Sequence, residues 1–137
     1  MQEFLQKTQK IKATCIVQHN GKVLLLRSDQ VLDPEHRPRA GYFGVPSFTV
    51  TFGADPEQML EKTFIDYFGQ SINGLIMVDV QQYLNTDQTV QVFEVVYTTR
   101  VTEFEVGDQS DNYIFVDKDD LHAYMFPAER AHLEKYL

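Results

Sequence analysis

The spacing of hydrophobic and polar positions changes character several times along the chain, and each change marks an element. In KATCIVQHNGKVLLLRS, apolar β-rich residues flank Asn20-Gly21. That dipeptide suits a two-residue turn needing positive φ at both positions, so strands are expected at 12–18 and 22–27. The next stretch, SDQVLDPEHRPRAGYFG, is polar and broken by Pro34, Pro38, Gly41 and Gly44, which predicts a long loop. The alternation in FTVTF predicts a short strand at 47–52.

ADPEQMLEKTFIDYFG follows the grammar of a helix. Asp55 is placed to cap it, Pro56 fits the first turn, and Gln58 stands three residues after the cap. Gly69 can take the left-handed conformation that ends it. Leu60, Phe64, Tyr67 and Phe68 recur at helical spacing as a core-facing stripe. Two long β-rich runs, LIMVDVQQYL and TVQVFEVVYTTRV, are separated by NTDQ and predict a hairpin. VTEFEV either prolongs its second strand or forms another. After YIFV, Asp117 begins a turn and Pro127 a terminal amphipathic helix, with Phe126, Leu133, Tyr136 and Leu137 packing it down. The order of strands, helix, strands and helix predicts a mixed α/β sandwich.

Composition narrows the picture. A chain of 137 residues, 43% hydrophobic and 23% charged, suits one globular domain with a real core. No apolar run is long enough to cross a membrane. The N-terminal MQEFLQKTQK lacks a signal peptide's apolar centre, so a cytoplasmic location and no membrane partner are expected. The net charge of −8 argues against a nucleic-acid partner, although a small anion can still meet the short basic patch of His36, Arg37 and Arg39. The single cysteine, Cys15, lies in the apolar stretch ATCIV and reads as a buried, inert thiol. His19, His36, His122 and His132 show no metal-ligand spacing and read as structural or exposed.

The stretch GYFGVPSFTVTFGADPEQMLEKTFIDYFGQSI resembles the box of the Nudix (MutT-like) hydrolases, G-x5-E-x7-R-E-U-x-E-E-x-G-U with U aliphatic. HNGKVLLLRS resembles the hairpin that precedes this box, ending in Arg27. FGVP, with Phe43 and Pro46, resembles its lead-in, and YIFVDKDDL a later strand and turn. The resemblance spans nearly the whole chain in order. It implies a single Nudix-like domain over 1–137, an α/β/α sandwich with a mixed β-sheet.

The box itself departs from the pattern. Pro46-Ser47-Phe48 stands where the family has Pro-Gly-Gly, Ala54 replaces the first glutamate, Lys62-Thr63 the Arg-Glu, and Asp66-Tyr67 the Glu-Glu. At about 100° per residue, positions 59, 62, 63, 66 and 67 form one helix face. In the family, carboxylates there hold divalent metals against a pyrophosphate. Here Asp66 alone survives, as the candidate catalytic and metal-binding residue, and Lys62 is spaced to compete for it. Asp108 and Asp111, with Glu103 and Glu105, follow the hairpin near where family members recruit a further acid. For a ligand, Arg27, Arg37 and Arg39 are candidates to meet phosphates, and Tyr42 and Phe43 to stack on a base.

Three readings follow. The first is a Nudix-fold protein with a degraded metal box, little or no pyrophosphohydrolase activity, and a retained nucleotide-like small-molecule ligand. The second is a divergent hydrolase, dependent on Mg²⁺ or Mn²⁺, that cleaves a nucleoside diphosphate linked to a group X. The third is a protein-interaction module. The resemblance also allows a homodimer.

Overall fold

The computed structural model describes residues 8–27, 42–72, 74–84, 88–101 and 113–137, the side chain of Tyr67 excepted. Strand β1 (Thr8–His19) turns at Asn20 and Gly21 into β2 (Lys22–Arg27). Both turn residues have positive φ, 51° and 76°, as an Asn-Gly hairpin turn requires. β1 begins four residues before its predicted start, because its polar end pairs with β6 as well.

The predicted strand at 47–52 shortens, and a two-residue strand that the sequence reading did not expect precedes it. β3 (Phe43–Gly44) pairs with β2, and β4 (Ser47–Thr49) pairs with β1. Thr51 and Phe52 already belong to the turn into the helix.

Helix α1 (Pro56–Phe68) keeps the expected ends. The Asp55 carboxylate accepts from the backbone N–H groups of Glu57 and Gln58 at 2.9 and 3.1 Å, satisfying two donors that the helix itself cannot. Gly69 closes the helix at φ 69° and donates its N–H to Ile65 O. β5 (Ile76–Leu84) and β6 (Val90–Arg100) are the expected hairpin, with a bulge between Met77 and Asp79. β7 (Tyr113–Asp117) pairs with β2, a short 3₁₀ helix spans Lys118–Ala123, and α2 (Pro127–Glu134) follows.

The strands form one mixed seven-stranded sheet. Its path runs β3-β2-β1-β6-β5, with β4 also on β1 and β7 also on β2. β1 and β6 run parallel, in register from Thr8 opposite Val90 to Gln18 opposite Arg100.

Two cores lie on the two faces of this sheet. On one, Ala13, Cys15, Val17 and Tyr97 pack against Leu60 and Phe64 of α1, with Phe48 and Tyr113. On the other, Ile16, Leu25, Val96 and Val116 pack against Leu133 of α2, with Leu121 and Met125. The result is a mixed α/β sandwich with a helix on each face. Cys15 is fully buried, and burial pushes its thiol far above the ordinary cysteine value, which keeps it protonated and inert. Leu133 is buried as expected and Tyr136 packs beside it, but Leu137 is 37% exposed. Leu137 therefore does little to hold α2 down.

Candidate functional site

A cavity of about 550 Å³ opens between the sheet and α2. Its walls are largely apolar, with Ile16, Val45, Val96, Met125 and Leu133 among them. A polar cluster is set into them where β1, β4, β6 and α2 meet.

Glu94, its side chain 3% exposed, is the centre of that cluster. It occupies β6 directly opposite Lys12 of β1, and Lys12 Nζ lies 3.4 Å from Glu94 Oε2. The Thr14 hydroxyl donates to the same oxygen at 2.6 Å. With its proton so used, Thr14 accepts from Ser47 Oγ, 2.9 Å away. On the other side of the carboxylate, His132 Nε2 of α2 donates to Glu94 Oε1 at 3.0 Å.

Burial pushes the Glu94 carboxyl upward. The Lys12 charge, the Thr14 hydroxyl and His132 together outweigh that push and hold it below the ordinary glutamate range. The carboxylate is therefore ionised and fully engaged at neutral pH. Beside it, Asp79 of β5 accepts from the Tyr136 hydroxyl at 2.9 Å and from Gln81 Nε2 at 3.2 Å, which lowers its carboxyl. Burial and the same Asp79 contact push the Tyr136 phenol up, so it stays a donor.

The described residues among those expected from sequence do not line this cavity. Asp66 is exposed on α1, with Lys62 also exposed and Thr63 half-buried. Met59, on the same side, packs against the core, and its sulfur accepts from the Thr51 N–H at 3.3 Å. Phe48 is core, 5% exposed.

Arg27 and Phe43 face each other across β2 and β3. The Phe43 ring packs edge-on against Tyr124, 5.7 Å between centroids, and Tyr42 does the same against Phe126 at 5.6 Å. These three residues stand beside Gly44 and Val45, which line the cavity, without lining it themselves. Arg37, Arg39, Asp108, Asp111, Glu103 and Glu105 lie outside the described residues.

The chain matches many solved structures over almost its whole length. A MutT Nudix hydrolase from Burkholderia pseudomallei superposes with TM-score 0.69 at 18% identity, covering 94% of this chain and 98% of that one. This is the Nudix fold. A MutT protein from Bacillus halodurans follows at TM-score 0.67 and 17% identity, covering 91% and 80%. The Nudix domain of Shewanella oneidensis NrtR, solved in complex with ADP ribose, matches at 0.64 and 14%, covering 94% and 84%. A scan against family models and a search of curated proteins both return no match.

The resemblance implies a divalent metal on the outer face of α1. The donor set there does not fit it. Asp66 is a lone exposed carboxylate, and among the described residues no group of three or more His, Cys, Asp or Glu side chains could hold a metal ion. Ser47, in the family's glycine position, instead ties its hydroxyl into the cavity cluster.

His132 and the Lys12–Glu94 pair are functional candidates that sequence reasoning passed over. A signal existed: Glu94 is the only charge inside the apolar run VQVFEVVY, and Lys12 and Thr14 alternate with Ala13 and Cys15. A charge on the inward side of a strand demands a buried partner.

Proposed function

We propose that this Nudix-fold chain binds a nucleotide-like small molecule in the cavity between the sheet and α2 without hydrolysing it. The observation that carries the reading is a contrast. The cavity holds a satisfied cluster of Lys12, Thr14, Ser47, Glu94 and His132, whereas the box face of α1 carries, among the described residues, the single carboxylate of Asp66.

Chemistry supports the division of labour. Lys12 offsets the charge of Glu94, and the remaining wall is mostly apolar, so the cavity suits an uncharged planar ring better than a phosphate. Its volume lies within the range of small-molecule pockets. Phosphates would extend towards Arg27, with Arg37 and Arg39 as further candidates, and Tyr42 and Phe43 stand beside the cavity wall. Hydrolysis in this fold relies on metal ions that neutralise charge and supply the attacking water. Asp66 would need Asp108 and Asp111 to rebuild such a site.

The test is a thermal-shift panel of nucleoside mono-, di- and triphosphates, nucleotide sugars and ADP-ribose, in Mg²⁺, in Mn²⁺ and in chelator. Product analysis by chromatography accompanies it. The reading expects a metal-independent rise in Tm with intact ligand recovered. No shift anywhere in the panel overturns it. Metal-dependent turnover that disappears in Asp66→Ala would establish the hydrolase instead.

A further inference from the structure

The hydroxyls of the cavity cluster have a fixed direction, and that direction limits which ligand edge they can meet. Glu94 is ionised, so its oxygens accept and cannot donate. Thr14 Oγ1, 2.6 Å from Glu94 Oε2, gives its hydrogen to the carboxylate. The 2.9 Å contact between Thr14 Oγ1 and Ser47 Oγ then has one possible donor, Ser47. With its single hydrogen committed, Ser47 Oγ has only lone pairs left to offer. Ser47 lines the cavity at 7% exposure, and among the described residues no second hydrogen bond reaches its hydroxyl.

Other polar groups of the lining are acceptors too. Glu94 Oε1 takes one bond from His132, and Oε2 faces both Thr14 and Lys12. A carboxylate has about four lone-pair sites, so room for a further donor remains. Gln81 gives its amide N–H groups to Asp79 and Tyr136, which leaves its carbonyl oxygen as a further acceptor. Lys12 is the complement. Its ammonium carries three N–H donors, of which the pairing with Glu94 occupies one. Lys12 and Thr14 are alternate residues of β1, and Thr14 stands opposite Ser47 of β4, so the acceptor and the cation share one part of the wall.

A planar ring entering between apolar walls loses water from its polar edge, and each group on that edge then needs a partner. An exocyclic amino group brings two donors, and the ring nitrogen beside it brings an acceptor. That order matches Ser47 and Lys12. A ring of the uracil type has one N–H between two carbonyl oxygens, and it would turn oxygen towards lone pairs that nothing bridges.

We infer that the cavity selects an amino-bearing heterocyclic base, with Ser47 Oγ accepting from the amino group and Lys12 donating to the adjacent ring nitrogen. The inference rests on the cavity being the ligand site proposed above, and adds which ring it takes. Ser47 stands where the resembled box has glycine, so the hydroxyl acceptor is one that pattern lacks.

Matched nucleoside monophosphates test it on the full chain, by calorimetric titration in chelator. AMP is compared with purine riboside monophosphate, CMP with its analogue lacking the amino group, and GMP with IMP, beside UMP. The expected result is binding of at least one amino-bearing member and a loss of at least about tenfold in its deamino partner, because the analogue leaves buried acceptors unpaired. That loss should disappear in Ser47→Ala, whose fold is checked by circular dichroism. Should the variant unfold, the matched pairs on the wild type still decide. Equal affinity within every pair overturns the inference while leaving the cavity as the ligand site. So does UMP binding more tightly than every amino-bearing nucleotide, or a deamino loss that persists in folded Ser47→Ala. Absence of binding by all seven nucleotides overturns the cavity reading together with the inference.

Discussion

Lys12 and Glu94 are register partners on adjacent parallel strands, and their charged groups approach to 3.4 Å beneath the cavity. Parallel pairing of β1 with β6 brings together residues 82 positions apart and points both to the α2 side. The pair is buried on the glutamate side and partly exposed on the lysine side, at 3% and 18%. Removing the base leaves the carboxylate its bonds to Thr14 and His132, whereas removing the acid leaves three groups without their shared acceptor.

The first prediction concerns that asymmetry. Glu94→Ala should destabilise by about 3 kcal/mol, because Lys12, Thr14 and His132 all lose their acceptor. Lys12→Met should cost less, and the double replacement Lys12→Met with Glu94→Leu should recover much of the loss. Urea unfolding of the three variants checks the order.

The second concerns pH. The folded Glu94 carboxyl lies below its ordinary value, so its contribution is fully present above the ordinary value of about 4.3. That contribution disappears as pH falls from there through the lower folded value. Wild-type Tm should accordingly decline more steeply over this acid range than that of Glu94→Gln, which has no carboxyl to protonate. Parallel acid limbs would contradict the ion pair's role.

The third concerns the ends of α1. Asp55→Ala removes a cap bonded to two backbone N–H groups and should cost about 1 kcal/mol. Gly69→Ala should cost about as much, for conformational reasons alone, since no atom lies within 4 Å of the added methyl position while φ is 69°. Both follow from denaturation midpoints.

The fourth concerns the surviving box carboxylate. Asp66 is exposed, so Asp66→Ala should change stability by no more than about 0.5 kcal/mol. Mg²⁺ or Mn²⁺ in the millimolar range should not raise Tm in the wild type more than in this variant. A metal-induced rise abolished by Asp66→Ala would reveal ligands joining it from elsewhere in the chain.

Much of the fold was legible because its punctuation is local. Asn20-Gly21, Asp55-Pro56 and Gly69 each act within a few residues, and each takes the conformation its chemistry requires. The ordered resemblance from Phe43 to Gly69 placed α1 and supplied the sheet around it. The strand at 47–52 was over-extended because alternation cannot show where a chain leaves its partner. The cavity cluster was hidden for a different reason. Lys12, Ser47, Glu94 and His132 come from four elements, and only the sheet's register and the docking of α2 bring them together. His132 by itself reads as an ordinary helix residue.

The most direct test of the central claim is calorimetric titration, in chelator, of whichever nucleotide gives the largest thermal shift. Wild type would be compared with Ala128→Trp, which fills the cavity from α2, and the ligand analysed afterwards. The account predicts saturable binding to the wild type, at least a tenfold weakening in Ala128→Trp, and ligand recovered intact even after Mg²⁺ is restored. Equal affinity in the two proteins, or products that appear with Mg²⁺ and vanish in Asp66→Ala, would contradict it.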